Sequence, residues 1–127
     1  MRFDHMAFEV GDLERSMAFY ITQLGFTESW RHRNEEEHEE CVFLVRGDVR
    51  LELLTRLDGS FQAPPTPQTP YCPHLAIGVD DLDAAVKQLD QNEVPILRGP
   101  LAVEGKVRWL YFADPDQNVI ELVEWVS

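Results

Sequence analysis

Residues 5 to 13 (His-Met-Ala-Phe-Glu-Val-Gly-Asp-Leu) and residues 74 to 82 (His-Leu-Ala-Ile-Gly-Val-Asp-Asp-Leu) agree at five of nine positions under a shift of 69 residues. The same shift pairs Leu51-Glu52-Leu53 with Ile120-Glu121-Leu122, so each half carries a His and a Glu 47 residues apart (5 to 52, 74 to 121). A duplication carries its spacing with it, whereas four unrelated residues have no reason to keep one. The chain therefore reads as one module written twice. At 127 residues it is too short for two independent globular domains, so the copies are expected to form one compact domain together.

Each copy opens with a strand. Phe3 to Val10 alternates, placing His5 and Ala7 on one face and Met6, Phe8 and Val10 on the other. Asp12 suits a helix N-cap, Leu13, Met17, Tyr20, Ile21 and Leu24 repeat at three- and four-residue spacing, and Gly25 supplies a left-handed stop. The second copy has Asp81 as the cap, Leu82, Ala85, Val86 and Leu89 as the inner stripe, and Asn92 and Pro95 as the end. β-favouring runs follow at residues 41 to 46, 50 to 55, 107 to 113 and 118 to 126, divided by turns such as Arg46-Gly47-Asp48 and residues 114 to 118. Each half is thus βαβββ.

Residues 59 to 73 contain five prolines (Pro64, Pro65, Pro67, Pro70 and Pro73), which bars a central strand or a helix there. The expected organisation is a first module over residues 1–58, a linker over 59–73 and a second module over 74–127. The acidic run Glu35 to Glu40, with His38 inside it, reads as a solvated turn, and His32 and His38 have no counterparts in the other half. A net charge of −12 repels phosphate backbones and anionic lipids over a Debye length of about 8 to 10 Å, so neither nucleic acid nor membrane is an expected partner. No apolar run approaches the roughly 20 residues of a bilayer span, and residues 1 to 5 do not read as a secretory signal. The expected location is the cytoplasm, with Cys41 and Cys72 as reduced thiols.

On a strand, Glu52 points away from Leu51 and Leu53, and Glu121 away from Ile120 and Leu122. A carboxylate inside a β run is costly to bury unpaired, and here the anomaly recurs at the repeat interval. A cation removes the cost. Two imidazoles and two carboxylates, from His5, Glu52, His74 and Glu121, form a mixed nitrogen and oxygen set suited to one divalent ion such as Zn, Ni, Co, Mn or Fe. A lone His or Glu on a strand is by default a rim residue. The matched spacing is what lifts these four above that default.

The strings from His5 to Tyr20 (His-Met-Ala-Phe-Glu-Val-Gly-Asp-Leu-Glu-Arg-Ser-Met-Ala-Phe-Tyr), from Gln23 to Phe26 (Gln-Leu-Gly-Phe) and from Asp114 to Leu122 (Asp-Pro-Asp-Gln-Asn-Val-Ile-Glu-Leu) resemble the vicinal oxygen chelate superfamily. This is the glyoxalase, bleomycin resistance and dioxygenase family, and the resemblance covers nearly the whole chain. It implies an α+β fold, two βαβββ modules in tandem forming a curved, partly open sheet around a metal site. The ligand order His, Glu, His, Glu is most similar to glyoxalase I, lactoylglutathione lyase. Epimerases of the family usually put Gln where Glu52 stands, and extradiol dioxygenases and fosfomycin-resistance enzymes use two His and one Glu.

The resemblance implies a metal-dependent lyase or isomerase that acts on an α-oxygenated carbonyl substrate through a metal-bound enediolate, with Ni or Zn as the foremost ions. It implies Glu121 as the base, Glu52 as its partner carboxylate, and a homodimer whose sites draw on both subunits. Two other readings keep the fold: a metal-free ligand- or antibiotic-sequestering protein of the bleomycin-resistance kind, and an epimerase or dioxygenase. One departure bears on substrate. Glu9 stands where glutathione-using relatives carry Arg, and its charge opposes a glutathione carboxylate. Gln117 replaces the glycine usual in the Asp-Pro-Asp-Gly turn, a change expected to touch only turn geometry. Arg50, Arg98 and Arg108 are candidates to meet an anionic substrate, and Trp30 and Trp109 to wall an apolar pocket, with surface or core placement the default for each.

Overall fold

The computed structural model describes all 127 residues, and they divide into two compact units, Met1–Pro64 and Pro65–Ser127. The division falls inside the proline-rich stretch, which forms neither helix nor strand. The first unit runs β1 (Met6–Glu9), α1 (Leu13–Leu24), β2 (Thr27–Asn34), β3 (Glu39–Arg46) and β4 (Val49–Arg56). The second runs β5 (His74–Gly78), α2 (Leu82–Gln91), β6 (Ile96–Val103), β7 (Val107–Ala113) and β8 (Val119–Trp125). This is the expected βαβββ twice, in an α+β fold.

Each unit builds one four-stranded mixed sheet, ordered β1-β4-β3-β2 in the first and β5-β8-β7-β6 in the second. The first and last strands of a unit lie side by side and parallel, while the hairpin strands between them pair antiparallel. A parallel neighbour requires a crossover, and the helix supplies it. Each helix is fixed by its cap. The Asp12 carboxylate accepts from the Arg15 N–H at 3.0 Å and the Asp81 carboxylate from the Ala84 N–H at 3.0 Å. Gly25 closes α1 at φ 70°, and its N–H bonds to the Ile21 carbonyl. Asn92 ends α2 at φ −91°, and Glu93 takes the left-handed turn beyond it at φ 58°.

Leu13, Met17, Tyr20 and Leu24 are buried on α1, against a sheet face made of Phe8, Leu51, Leu53, Val42 and Leu44. Leu82 and Leu89 do the same for α2, with Leu75, Ile77, Leu110, Phe112, Ile120 and Leu122 buried on the second sheet. Two details depart from expectation. Ile21, assigned to the inner stripe of α1, is 42% exposed because it sits at the margin of the arc that Met17, Tyr20 and Leu24 cover. The opening strand is shorter than Phe3 to Val10, since pairing with β4 begins at Met6 opposite Leu51. Cys41 and Cys72 are free thiols. No helix is long and apolar enough to cross a membrane.

Candidate metal-binding half-sites

Parallel pairing of first and last strands sets His and Glu on one face of each sheet. Ala7 is the register partner of Glu52, and Ala76 that of Glu121. His5 and His74 stand two residues before those alanines, and alternation gives them the same face, turned away from the helix. The small alanine leaves room for the imidazole and the carboxylate to meet across it. His5 Nε2 lies 3.3 Å from Glu52 Oε1, and His74 Nε2 lies 2.9 Å from Glu121 Oε1. The four residues singled out in the sequence thus come together as two pairs, one in each unit.

The remote ring nitrogens are held as well. His74 Nδ1 is 2.9 Å from the Tyr71 carbonyl oxygen, which can only accept, so Nδ1 carries a proton and Nε2 is the nitrogen turned toward Glu121. His5 Nδ1 is 2.7 Å from Asp4 Oδ2, whose carboxyl is held below the usual range by that bond and by the charge of Arg50. Arg50 Nη1 reaches Asp4 at 3.3 Å. In both pairs the other ring nitrogen, Nε2, therefore faces a carboxylate oxygen. Two acceptors at such distances need a positive charge between them, either a proton on Nε2 or a cation. A divalent ion with nitrogen and oxygen preferences fits that donor chemistry. Neither unit gathers three or more His, Cys, Asp or Glu side chains in a metal-holding cluster; each presents one imidazole and one carboxylate.

Aromatic rings back both pairs. Phe43 on β3 is the register partner of Glu52, meets the His5 ring edge-on with centroids 5.1 Å apart, and carries Trp30 stacked on it at 5.7 Å. Tyr111 on β7 is the register partner of Glu121 and meets His74 at 5.6 Å, with the Tyr71 ring 4.9 Å away. Burial and the Glu121 charge push the Tyr111 phenol above its ordinary range. Burial also pushes the Cys41 thiol up, with Glu52 beside it adding to the effect. Sequence reasoning missed Phe43, Tyr71, Tyr111 and Asp4. Phe43 and Tyr111 lie in recognised β runs, and aligning those hairpins would have set them opposite the glutamates. Tyr71 lies in the proline-rich stretch, where no periodicity points to it.

The remaining candidates separate cleanly. Glu9 is ion-paired to Arg56, with Oε2 2.6 Å from Nε. Arg108 points to the helix side and binds Asp83 at 2.8 Å, and Arg50 is held by Asp4. Arg98 makes no ion pair. Trp30 is 52% exposed beside the first pair, whereas Trp109 is half-buried. The residues before Glu121 are fixed by a buried carboxylate: Asp114 accepts from the N–H groups of Asp116 and Asn118 at 2.8 and 2.9 Å and from the Asn118 amide at 2.9 Å. Gln117 sits in that turn at φ 71°, the conformation a glycine takes most easily.

A family model described as the Glyoxalase/Bleomycin resistance protein/Dioxygenase superfamily matches residues 2–122. The uncharacterized protein YwkD of Bacillus subtilis is 35% identical over 128 residues, which cover 94% of each chain. The lactoylglutathione lyase of Salmonella typhimurium is 30% identical over 125 residues, covering 98% of this chain and 93% of the enzyme. In fold, the chain is similar to the glyoxalase family protein from Enterococcus faecalis, with a TM-score of 0.79 over 97% of each chain at 22% identity.

Proposed function

The chain belongs to the glyoxalase, bleomycin resistance and dioxygenase superfamily, and from that premise we propose that it is a metal-dependent, glyoxalase-like lyase or isomerase of α-oxygenated carbonyl compounds. The observation that carries the reading is the His–Glu pair made twice by the same strand geometry. In this reading His5, Glu52, His74 and Glu121 together hold one divalent ion, Ni or Zn in the first place. Such an ion, when bound, supplies Lewis acidity toward two neighbouring substrate oxygens. The likeness to a lactoylglutathione lyase supports the same class of reaction.

The chain's own residues move the proton. Glu121 takes it from the hydroxyl-bearing carbon beside the carbonyl and delivers it to the carbonyl carbon, while the hydroxyl proton passes to the former carbonyl oxygen, an isomerisation that needs no oxidant or reductant. Glu52 keeps the opposite side anionic. Tyr71 and Asp4 hold His74 and His5 in the tautomer that presents Nε2. The rings of Phe43 and Trp30 line the first pair and that of Tyr111 the second. Because one pair offers only two donors, we propose a homodimer in which two copies of the chain complete each other's ligand sets. At position 9 a carboxylate already engaged by Arg56 offers no free cation to a glutathione carboxylate, which supports a substrate other than a glutathione adduct.

Elemental analysis of purified protein is expected to find one divalent ion per complete ligand set, lost in Glu121→Ala and His74→Ala. The Ni- or Zn-loaded protein should exchange solvent deuterium into the carbon beside the carbonyl of a small α-hydroxyketone, read by proton NMR. Absence of both retained metal and exchange would end the enzymatic reading in favour of a ligand-sequestering protein.

A further inference from the structure

Strand register sets Arg98 in line with the second His–Glu pair. Arg98 on β6 is the partner of Tyr111 on β7, and Tyr111 is the partner of Glu121 on β8, so the three side chains form one row across the face turned from the helix. No other basic residue occupies a strand position on that face of the second sheet. The other arginines considered as substrate contacts are consumed within the protein, Arg50 by Asp4 and Arg108 by Asp83. Arg98 has no acid beside it and is exposed. In a chain with 23 acidic residues against 11 basic ones, a guanidinium left without a carboxylate is conspicuous.

The backbone holds that position by an unusual route. The β6–β7 register shifts on both sides of Arg98, between Ile96 and Arg98 and again between Arg98 and Leu101. Gly99 follows at φ 110°, so close to β7 that an added Cβ would lie 2.9 Å from the Trp109 carbonyl oxygen and 3.0 Å from Leu110 Cα. Such bulges re-aim a side chain, and here they surround the one free cation of the row.

We propose that Arg98 binds an anionic group of the substrate, a carboxylate or a phosphate, and so determines specificity at the second His–Glu pair. The proposal rests on the reaction above for the reacting end of the molecule. β6 and β8 are two strand spacings apart, about 10 Å. The extended guanidinium closes part of that gap, which fits a small hydroxycarbonyl compound bearing a terminal anion.

Three probes share the hydroxycarbonyl end and differ at the other: dihydroxyacetone is uncharged, hydroxypyruvate bears a carboxylate and dihydroxyacetone phosphate a phosphate. Their dissociation constants are to be measured by calorimetry for wild type, Arg98→Gln and Arg98→Lys, with and without added Ni or Zn, alongside metal content. Wild type should bind at least one charged probe about tenfold more tightly than the uncharged one, and the favoured probe identifies the group. Arg98→Gln should abolish that preference and Arg98→Lys restore part of it, with metal content unchanged in both. An equal preference in wild type and Arg98→Gln, or no preference in wild type, overturns the assignment. Loss of metal retention with the charge preference intact would instead remove the proposed reaction and leave Arg98 as an anion site.

Discussion

At Gln117 a side chain occupies a backbone conformation that costs an L-residue about 1 kcal/mol or more relative to glycine. Replacing Gln117 by Gly should therefore stabilise the protein by about 0.5 to 1 kcal/mol, measured as a raised urea midpoint at unchanged slope. Gly99→Ala should act oppositely. The new methyl group meets backbone rather than a side chain that could swing away, and a loss of about 1 to 3 kcal/mol with a lower melting temperature is expected. Tyr111 offers a test through pH. Its phenol is pushed up by burial and then by Glu121, so the folded protein holds the proton longer than the unfolded chain does. That contribution to stability is whole below the unfolded phenol range and is lost as pH rises through the higher folded value. A difference titration of phenolate absorbance, wild type against Tyr111→Phe in chelator, should show a late step, and Glu121→Gln should bring it earlier.

The helices and the strands that pack on them were legible in the sequence because burial writes periodicity into it. Asp12 and Asp81 mark the starts of α1 and α2 where the structure has them, and Asp12→Ala or Asp81→Ala should each cost about 1 kcal/mol in chemical denaturation. β2 and β6 escaped location for the complementary reason. β2 is exposed along most of its length and β6 carries Gly99 and Pro100 in its middle, so neither shows two-residue alternation. Each lies at one edge of its sheet, and charges and irregular backbone suit an edge that must not add a strand from another chain. The site was legible in the same uneven way. The repeat named His5, Glu52, His74 and Glu121, while Tyr71 and Asp4, which hold the imidazoles, act through a carbonyl oxygen and a neighbour along the chain, contacts that leave no pattern in a sequence.

For the whole molecule the proposed sharing of ligands between two copies makes oligomeric state a measurable claim. Light scattering after size exclusion should give about twice the 14.7 kDa chain mass at micromolar concentration. A monomer under all conditions, metal added or removed, would sink the homodimer.

The parallel neighbours of each sheet are the strands that begin and end a module, with imidazole and carboxylate 47 residues apart. Contacts so distant along the chain are the slowest to form in a folding protein. Neither His–Glu pair can exist until its module is finished, so a nascent chain arrested before Val49 would bear the His5 imidazole without the Glu52 carboxylate that its Nε2 faces. In the metal-dependent reading, affinity for an ion would then arrive late, as a consequence of closure rather than its guide.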